Sequence, residues 1–409
     1  MRDALLDLRN LSNLWTMSNR TATRYLMGTA CAGLFTFGVM TSFLGATLPE
    51  LSARLNFDLA RSGALFSFLY FPQIPMVFLA GPLIDRFGKK PILAGGFLLC
   101  AAALVGIAYA PSYAVLAGLL VALGLGGASA MSASNTLIPD LYPENPSSPL
   151  NLAGVFFGVG AIFFPWLVAL MAVRLGLVLT IRLITIMVAG VALVATSQTF
   201  PPASSGGGFD WREVRRLARD PAVIILALVL FFYSAVEIST AGWSRTFLER
   251  DLHALPQKSS AILTMFWVAM MVGRLAASQV VKRVRGPRLL LGAALGAVCG
   301  LCVVVLANSV VVASVGIVIC GLSYAPVFPT TAGTASTYFP KLFATVFGIL
   351  MAVGLSAGVI LPPAIGYVAK IATVRAGICL VLAFAVLLTA VQAIFLAYER
   401  RRLIGQMGR

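Results

Sequence analysis

The sequence predicts an all-α membrane protein with twelve transmembrane helices in two pseudo-symmetric six-helix bundles. The composition, the number of apolar runs and a repeat between the two halves lead to this prediction. Of the 409 residues, 59% are hydrophobic and 11% are charged, and the mean hydropathy is +0.94. A soluble protein carries about 25% charged residues, so the composition excludes a soluble multidomain protein.

Twelve apolar runs each approach the ~20 residues that a helix needs to cross the hydrocarbon of a bilayer. The first six spans are predicted at residues 24–48, 62–84, 90–109, 112–138, 149–172 and 177–197. The other six are predicted at residues 222–247, 259–281, 288–307, 309–334, 343–369 and 375–398.

These spans divide the chain into five regions. They are an N-terminal tail (1–23), a first six-helix bundle (24–197), a linker (198–221), a second six-helix bundle (222–398) and a C-terminal tail (399–409). The linker contains Pro201-Pro202 and Ser204-Ser-Gly-Gly-Gly208, which predict a flexible connection. Asp210 and Glu213 have the spacing of a capping box, so a short amphipathic helix is expected on the cytoplasmic surface.

The distribution of positive charge predicts the orientation. Of the 30 Lys and Arg residues, 21 fall on the side that holds both termini, eight fall on the other side, and Arg182 lies within a span. Because cytoplasmic loops carry the excess of Lys and Arg, both termini are expected in the cytoplasm. The formal net charge of +16 comes from these short loops and tails, so nucleic acid is not expected as a partner.

The two halves of the chain repeat each other at a nearly constant offset. Gly273 lies 192 residues after Gly81, at the equivalent hairpin. Gly348 lies 194 residues after Gly154. Six-helix units that repeat in parallel place the substrate site near the bilayer midplane, between the halves.

The hairpin between the second and third spans has the most specific motif in the chain. Its sequence, Gly81-Pro-Leu-Ile-Asp-Arg-Phe-Gly-Lys-Lys-Pro-Ile-Leu93, combines two glycines with one carboxylate and three cations. This pattern resembles the hairpin signature of the major facilitator superfamily, and the resemblance extends over about residues 25–398. It implies alternating access by rocking of the two bundles, with the hairpin closing the cytoplasmic side. The residues expected to act in gating are Gly81, Asp85, Arg86, Gly88, Lys89, Lys90 and Arg274.

Three further stretches resemble the fucose–proton symporter group and its bacterial sugar-transporter relatives. They begin at Asn135 in the fourth span, Tyr233 in the seventh and Gly321 in the tenth. The resemblance implies a sugar substrate and a location in a bacterial inner (plasma) membrane. The proton-coupled members of that group carry carboxylates in the first and fourth helices. Here the first span has no acid, and the fourth has none before Asp140 at its cytoplasmic edge.

Polar residues within the spans are the candidates for the site. Glu237 is the only acid deep within a predicted span, where a charged side chain costs about 2.5–3.5 kcal/mol. It can bind a substrate hydroxyl or a cation, or carry a coupling proton; the alternative is a protonated or paired structural acid that faces the other bundle. Arg182 can pair with Glu237, bind an anionic substrate, or reach the outer surface. The residues expected to bind substrate are Gln73, Asn135, Tyr233, Glu237, Trp243, Trp267 and Tyr324.

The expected function is a secondary transporter of a small polar metabolite, a sugar or sugar derivative, that acts as a monomer. An exporter of drug-like or lipophilic compounds and a non-transporting nutrient sensor of the same fold are the alternatives. An enzyme is not expected, because the sequence has no Gly-x4-Gly-Lys-Ser/Thr loop and no metal-ligand cluster, and no cofactor is implied. Glu237 is the candidate for ion coupling by a proton or a sodium ion. The substrate, the direction of transport and the coupling ion stay open.

Overall fold

A computed structural model describes residues 20–142, 147–201, 211–281, 283–340 and 342–407. Within these residues the fold is helical, with no β-strand, and twelve segments are long and apolar enough to cross a membrane, which confirms the predicted fold class. Spans 1 to 12 are Ala22–Leu55, Leu59–Phe87, Lys89–Tyr109, Tyr113–Leu141, Leu152–Ala172, Arg174–Ser197, Pro221–Arg250, Pro256–Val280, Gly286–Leu306, Val310–Tyr338, Thr345–Ile371 and Val374–Arg401.

Two spans are each built from two helices. Span 2 consists of Leu59–Tyr70 and Gln73–Phe87, and span 10 consists of Val310–Tyr324 and Val327–Tyr338. Pro72 and Pro326 lie at the breaks. A proline lacks the backbone N–H and its ring clashes with the preceding turn, so it interrupts a continuous helix.

Several helices extend past the apolar part of their span. The first helix begins at Arg20, the helix of span 11 begins at Phe343, and the last helix runs to Met407. Spans 5 and 6 lie within one helical run, Ser147–Ser197, divided at Gly176 with φ 80°. A short helix, Trp211–Leu217, lies between the two halves of the chain.

Successive spans cross the membrane in alternating directions, so the molecule has two distinct sides. We call the side with Gly88, between spans 2 and 3, the hairpin side. We call the opposite side, with Asp58 between spans 1 and 2, the far side.

Small residues bring helices close together in both bundles. Between spans 3 and 4, a Cβ on Gly126 would lie 2.8 Å from the Gly96 carbonyl oxygen. Between spans 9 and 10, a Cβ on Gly316 would lie 2.7 Å from the Gly300 carbonyl oxygen. Close backbone approach through small residues is the usual way in which transmembrane helices pack. Corresponding parts of the two bundles therefore use the same kind of contact.

The two bundles meet closely on the far side. Ser67 of span 2 donates a hydrogen bond of 2.8 Å to the Val359 carbonyl oxygen of span 11. In the same pair of spans, Gly63 lies against the Pro362 backbone. In spans 1 and 7, Gly45 lies against the Ala241 carbonyl oxygen. Backbone contacts at these positions close the far side.

We expect the substitution Gly63→Ala to weaken this closure. The added methyl carbon would lie 2.6 Å from the Pro362 carbonyl oxygen and 2.9 Å from the Pro363 Cα, and backbone atoms cannot rotate away. Overpacking of this kind costs about 1–3 kcal/mol, so the melting temperature in detergent should fall. Gly95→Ala in span 3 is the matched control, because nothing lies within 4 Å of its added carbon. Equal melting temperatures for the two variants would contradict the prediction.

Candidate functional site

A cluster of polar and aromatic side chains lies between the bundles, and its first wall comes from span 7. Tyr233, Glu237 and Thr240 are spaced by four and three residues, so they share one face of the helix. The Tyr233 ring meets the Tyr324 ring of span 10 edge to face, with centroids 6.4 Å apart. The Tyr324 hydroxyl lies 3.0 Å from the Thr240 Oγ1. The proline break after Tyr324 in span 10 therefore lies beside the acid of span 7.

Span 8 supplies the second wall. The Phe266 ring lies 6.1 Å from the Tyr324 ring and 5.2 Å from the Trp267 ring, both edge to face. The Trp267 Nε1 is buried, and it has no hydrogen-bond acceptor among the described residues. Arg274 lies on the same face of span 8 as Trp267, two helical turns closer to the hairpin side.

The N-terminal bundle supplies the third wall. Tyr70 of span 2 packs on Gly358 of span 11, and it lies within electrostatic range of Glu237. The Arg274 guanidinium lies over the Phe157 ring of span 5, with 5.7 Å between the guanidinium carbon and the ring centroid. The Phe37 ring of span 1 lies 5.8 Å from that of Phe157. Both bundles therefore contribute to the cluster.

The charges at the centre of the cluster are those of Glu237 and Arg274. The Tyr233 hydroxyl lies close enough to interact with both groups. Glu237 and Arg274 are not among the pairs of described residues whose charged atoms lie within 4.0 Å. A carboxylate, a guanidinium, hydroxyl groups and aromatic faces together can bind a small polar molecule.

Four of the seven residues expected to bind substrate lie in this cluster: Tyr233, Glu237, Trp267 and Tyr324. Trp243 is fully buried on the far side, where it stacks on Phe66 with 6.5 Å between ring centroids. Gln73 is fully buried beside the break in span 2, and its Nε2 donates a 2.8 Å hydrogen bond to the Leu69 carbonyl oxygen. Asn135 is half-buried in span 4.

Arg274 and Tyr70 are among the cluster residues that the sequence does not predict to bind substrate. Arg274 is predicted to act in gating, but it lies beside Tyr233 and Phe157. Tyr70 immediately precedes the Phe71-Pro72 break of span 2, which is the one sequence signal for it. The Arg182 guanidinium lies 5.0 Å from the Tyr109 ring centroid, and its side chain is exposed.

The hairpin residues are arranged around a glycine turn. Gly88 has φ 84°, a conformation that residues other than glycine rarely adopt, and it separates the helices of spans 2 and 3. The buried Lys89 forms an ion pair with Asp140 of span 4. Asp85 and Arg86 are exposed, and Asp85 has no ion pair with any residue that the structure describes.

A buried arginine network joins the bundles on the far side. Arg245 of span 7 is only 1% exposed and forms a bidentate ion pair with Glu50 of span 1, whose Oε2 lies 2.8 Å from its Nη1. Its Nη1 also donates to the Ala46 carbonyl oxygen, and its Nε lies 2.7 Å from a Glu249 oxygen. Sequence reasoning missed this network because the predicted end of span 1, at residue 48, left Glu50 in a loop.

We expect Glu50→Gln to open the far side more often. Removing one partner of a buried ion pair costs about 3–5 kcal/mol when the other charge is left alone, and the cost is smaller here because Arg245 keeps Glu249. Labelling of Ser67→Cys, in a background with the native cysteines replaced, should become at least about tenfold faster with an impermeant thiol reagent. Unchanged labelling would contradict the assignment of Glu50 to far-side closure.

Asp58→Asn is the matched control on the same side. Asp58 accepts a 2.8 Å hydrogen bond from the Arg61 N–H, and it lies 2.9 Å from the Lys370 Nζ. The hydrogen bond from Arg61 has the larger effect and the contact with Lys370 the smaller, and both hold the pKa of Asp58 below its usual value. The contribution of the Asp58 carboxylate to stability is therefore present at neutral pH and is lost below about pH 4. The Asp58 and Lys370 side chains are both 40% or more exposed, so their ion pair is weak. At neutral pH, loss of this ion pair should change the labelling rate of Ser67→Cys by less than about twofold. Below about pH 4, labelling of this variant should change less with pH than that of the parent.

Comparisons with known proteins agree on one family. The protein TsgA homolog of Buchnera aphidicola subsp. Schizaphis graminum is 24% identical over 246 residues, which cover 60% of this chain and 63% of that relative. The chain thus spans less than two thirds of the length of that relative. The MFS-type transporter YfkL of Bacillus subtilis is 23% identical over 388 residues, which cover 91% of this chain and 95% of YfkL.

Solved transporter structures share the fold. The nucleoside transporter NupG aligns with a TM-score of 0.75 at 15% identity, over 92% of this chain and 99% of NupG. The D-xylose-proton symporter aligns with a TM-score of 0.75 at 15% identity, over 89% of this chain and 96% of the symporter. The sequence profile of the Major Facilitator Superfamily matches residues 30–363. The chain therefore belongs to the major facilitator superfamily, as the hairpin motif predicted, a family whose members are multi-pass membrane transporters rather than enzymes.

Proposed function

We propose that this transporter moves a small polar metabolite, a sugar or sugar derivative, by alternating access. The observation that carries the proposal is the position of the Glu237, Tyr233 and Arg274 cluster between the bundles, with aromatic rings on three sides. A sugar offers hydroxyl groups to a carboxylate and to tyrosine hydroxyls. Its C–H faces pack on aromatic rings, and both kinds of surface are present here.

The structural relatives support the same substrate class. NupG is described as a nucleoside transporter, and the other relative as a D-xylose-proton symporter. Xylose is a pentose and a nucleoside contains one, so a pentose ring is common to both substrates. The proton coupling of the xylose relative also suits Glu237 as the group that carries a coupling proton, although a sodium ion is an alternative.

The contacts between the bundles support alternating access. The far side is closed by backbone contacts and by the Arg245–Glu50 ion pair, whereas Asp85 on the hairpin side is exposed. We place the hairpin side and both termini in the cytoplasm of a bacterial cell, with the protein in the inner membrane, because most of the cations lie on that side. Movement of the bundles then exposes the central cluster to each side in turn.

A ligand panel tests the substrate class. We would measure the melting temperature of the purified protein with sugars, organic acids and lipophilic cations, since a ligand at about 100 times its Kd adds about 2.7 kcal/mol of stability. We expect a saturable shift with sugars or sugar derivatives, lost in Glu237→Ala and reduced in Tyr233→Phe. Glu213→Ala, on the short helix Trp211–Leu217, should keep the shift. A shift with lipophilic compounds alone would favour an exporter of such compounds.

Asp85→Asn tests the gating assignment of the hairpin. We expect slower transport with normal membrane insertion, because the exposed carboxylate would no longer contact the other bundle when the hairpin side closes. Uptake into proteoliposomes measures the effect, and Asp85→Glu, which keeps the charge, should retain more activity. Unchanged flux in Asp85→Asn would remove Asp85 from the gate.

A further inference from the structure

Three arginines of the spans have guanidinium groups that are bound to oxygen atoms. Arg54 donates to the Ile107 and Ala108 carbonyl oxygens, each at 2.8 Å, at the end of span 3. Arg375 donates to two carbonyl oxygens at the end of span 9, at 3.0 and 2.6 Å. Arg245 binds two carboxylates and one carbonyl oxygen. These three guanidinium groups therefore have hydrogen-bond acceptors, which lowers the cost of placing them where the dielectric constant is low.

Arg274 does not follow this pattern. Its Nε is buried, and none of the residues that the structure describes offers it a hydrogen-bond acceptor. Its Nη2 lies 3.7 Å from the Met270 sulfur, which is a weak acceptor, and its planar group faces the Phe157 ring. The Tyr233 hydroxyl lies close enough to interact with it, and Glu237 acts on it electrostatically. These neighbours orient the guanidinium, but the Nε–H group still has no acceptor among the described residues.

A second unsatisfied donor lies on the same face of span 8. The Trp267 Nε1 is buried without an acceptor among the described residues, and it precedes Arg274 by two helical turns, about 10 Å along the axis. Two buried donors on one helix face suit a ligand with acceptor oxygens at separated positions. The planar guanidinium of Arg274 matches the bidentate geometry of a carboxylate, so an anionic acceptor fits this position.

We propose that Arg274 binds a carboxylate of the transported sugar derivative, so that the substrate is a sugar acid, with a hydroxyl or ring oxygen of the sugar accepting from Trp267. This inference rests on the proposed function and narrows its substrate class from sugars in general to anionic ones.

The position of Glu237 gives this site a means of ion coupling. The described groups that act electrostatically on Glu237 or respond to its charge are Arg274, Tyr233, Tyr324 and Tyr70. Arg274 is the one cation among them. An ionised Glu237 and an ionised substrate compete for the same guanidinium, so binding of the anion favours a protonated Glu237. One proton then enters the site with one carboxylate, and the pair together carries no net charge.

Matched pairs of ligands test the proposal in the wild-type protein. We would measure the Kd of D-glucuronate against D-glucose, and of D-galacturonate against D-galactose, by calorimetry at mildly acid and mildly alkaline pH. At least one uronate should bind at least about tenfold more tightly than its neutral partner, and more tightly in acid than in alkali. The uronate carboxylate itself stays ionised throughout, since free carboxyl groups titrate near pH 4.

Three variants separate the roles of the two charges. Arg274→Gln should bring each uronate and its neutral partner to the same affinity, and Arg274→Lys should keep part of the preference, because it retains the charge without the planar fork. Glu237→Gln should bind the uronate at both pH values as the wild type does in acid. Arg182→Gln is the matched control, since Arg182 also lies in a span but faces Tyr109 outside the cluster, and its uronate preference should equal that of the wild type.

The outcomes distinguish this inference from the broader one. Equal or tighter binding of both neutral sugars would overturn the sugar-acid assignment and leave the sugar transporter intact. Preference for a uronate that survives in Arg274→Gln would overturn the role of Arg274. If that variant does not fold, the comparison of uronate and neutral sugar in the wild type still decides the substrate class. 4-Hydroxybenzoate carries a carboxylate but no sugar ring. Binding of this compound, with no binding of any sugar or uronate, would overturn both the sugar transporter and the sugar-acid assignment.

Discussion

The bilayer leaves no water for a polar group within a span, and this constraint shapes the buried charged sites of the spans. Arg54 and Arg375 bind the last carbonyl groups of spans 3 and 9, so each arginine satisfies a helix end while its own charge is compensated. Glu237 and Arg274 are arranged differently, because they lie near each other without a direct ion pair. Incomplete compensation in the membrane interior is costly, and it occurs here in the cluster between the two bundles.

The packing of the bundles suits two halves that must come together and separate. Lipid tails are as apolar as leucine, so burial of apolar side chains gives little attraction between transmembrane helices. The far side is held instead by close backbone contacts at Gly45 and Gly63, by cross-bundle hydrogen bonds from Ser67 and Arg245 to carbonyl oxygens, and by the Arg245–Glu50 ion pair. Contacts of this kind need an accurate fit, and a small rotation of one bundle removes them together.

The arrangement around Arg245 lowers the cost of that separation. Glu249 lies one turn from Arg245 on the same helix and accepts hydrogen bonds from Arg245 and from Ser259, the latter at 2.5 Å. When span 1 moves away with Glu50, the guanidinium keeps this carboxylate as a partner. The closed state is stabilised by two carboxylates, and in the open state the arginine still has one of them.

Four features follow from the amino-acid sequence alone: the number of spans, the hairpin motif, the family and the isolation of Glu237. These features depend on local composition. An apolar run of sufficient length predicts a span whatever its helix packs against, and the hairpin motif lies within thirteen consecutive residues. The packing of the helices determines which polar residues lie next to each other. Glu50 and Arg245 are 195 residues apart in the chain, and no local pattern pairs them. Trp243 and Tyr324 are both buried aromatic residues, yet one packs on Phe66 in the far-side layer and the other lies beside Glu237. The sequence of an apolar span gives only a weak signal for the rotation of the helix about its own axis. Packing against the neighbouring helices therefore sets which face of each span lines the central cluster.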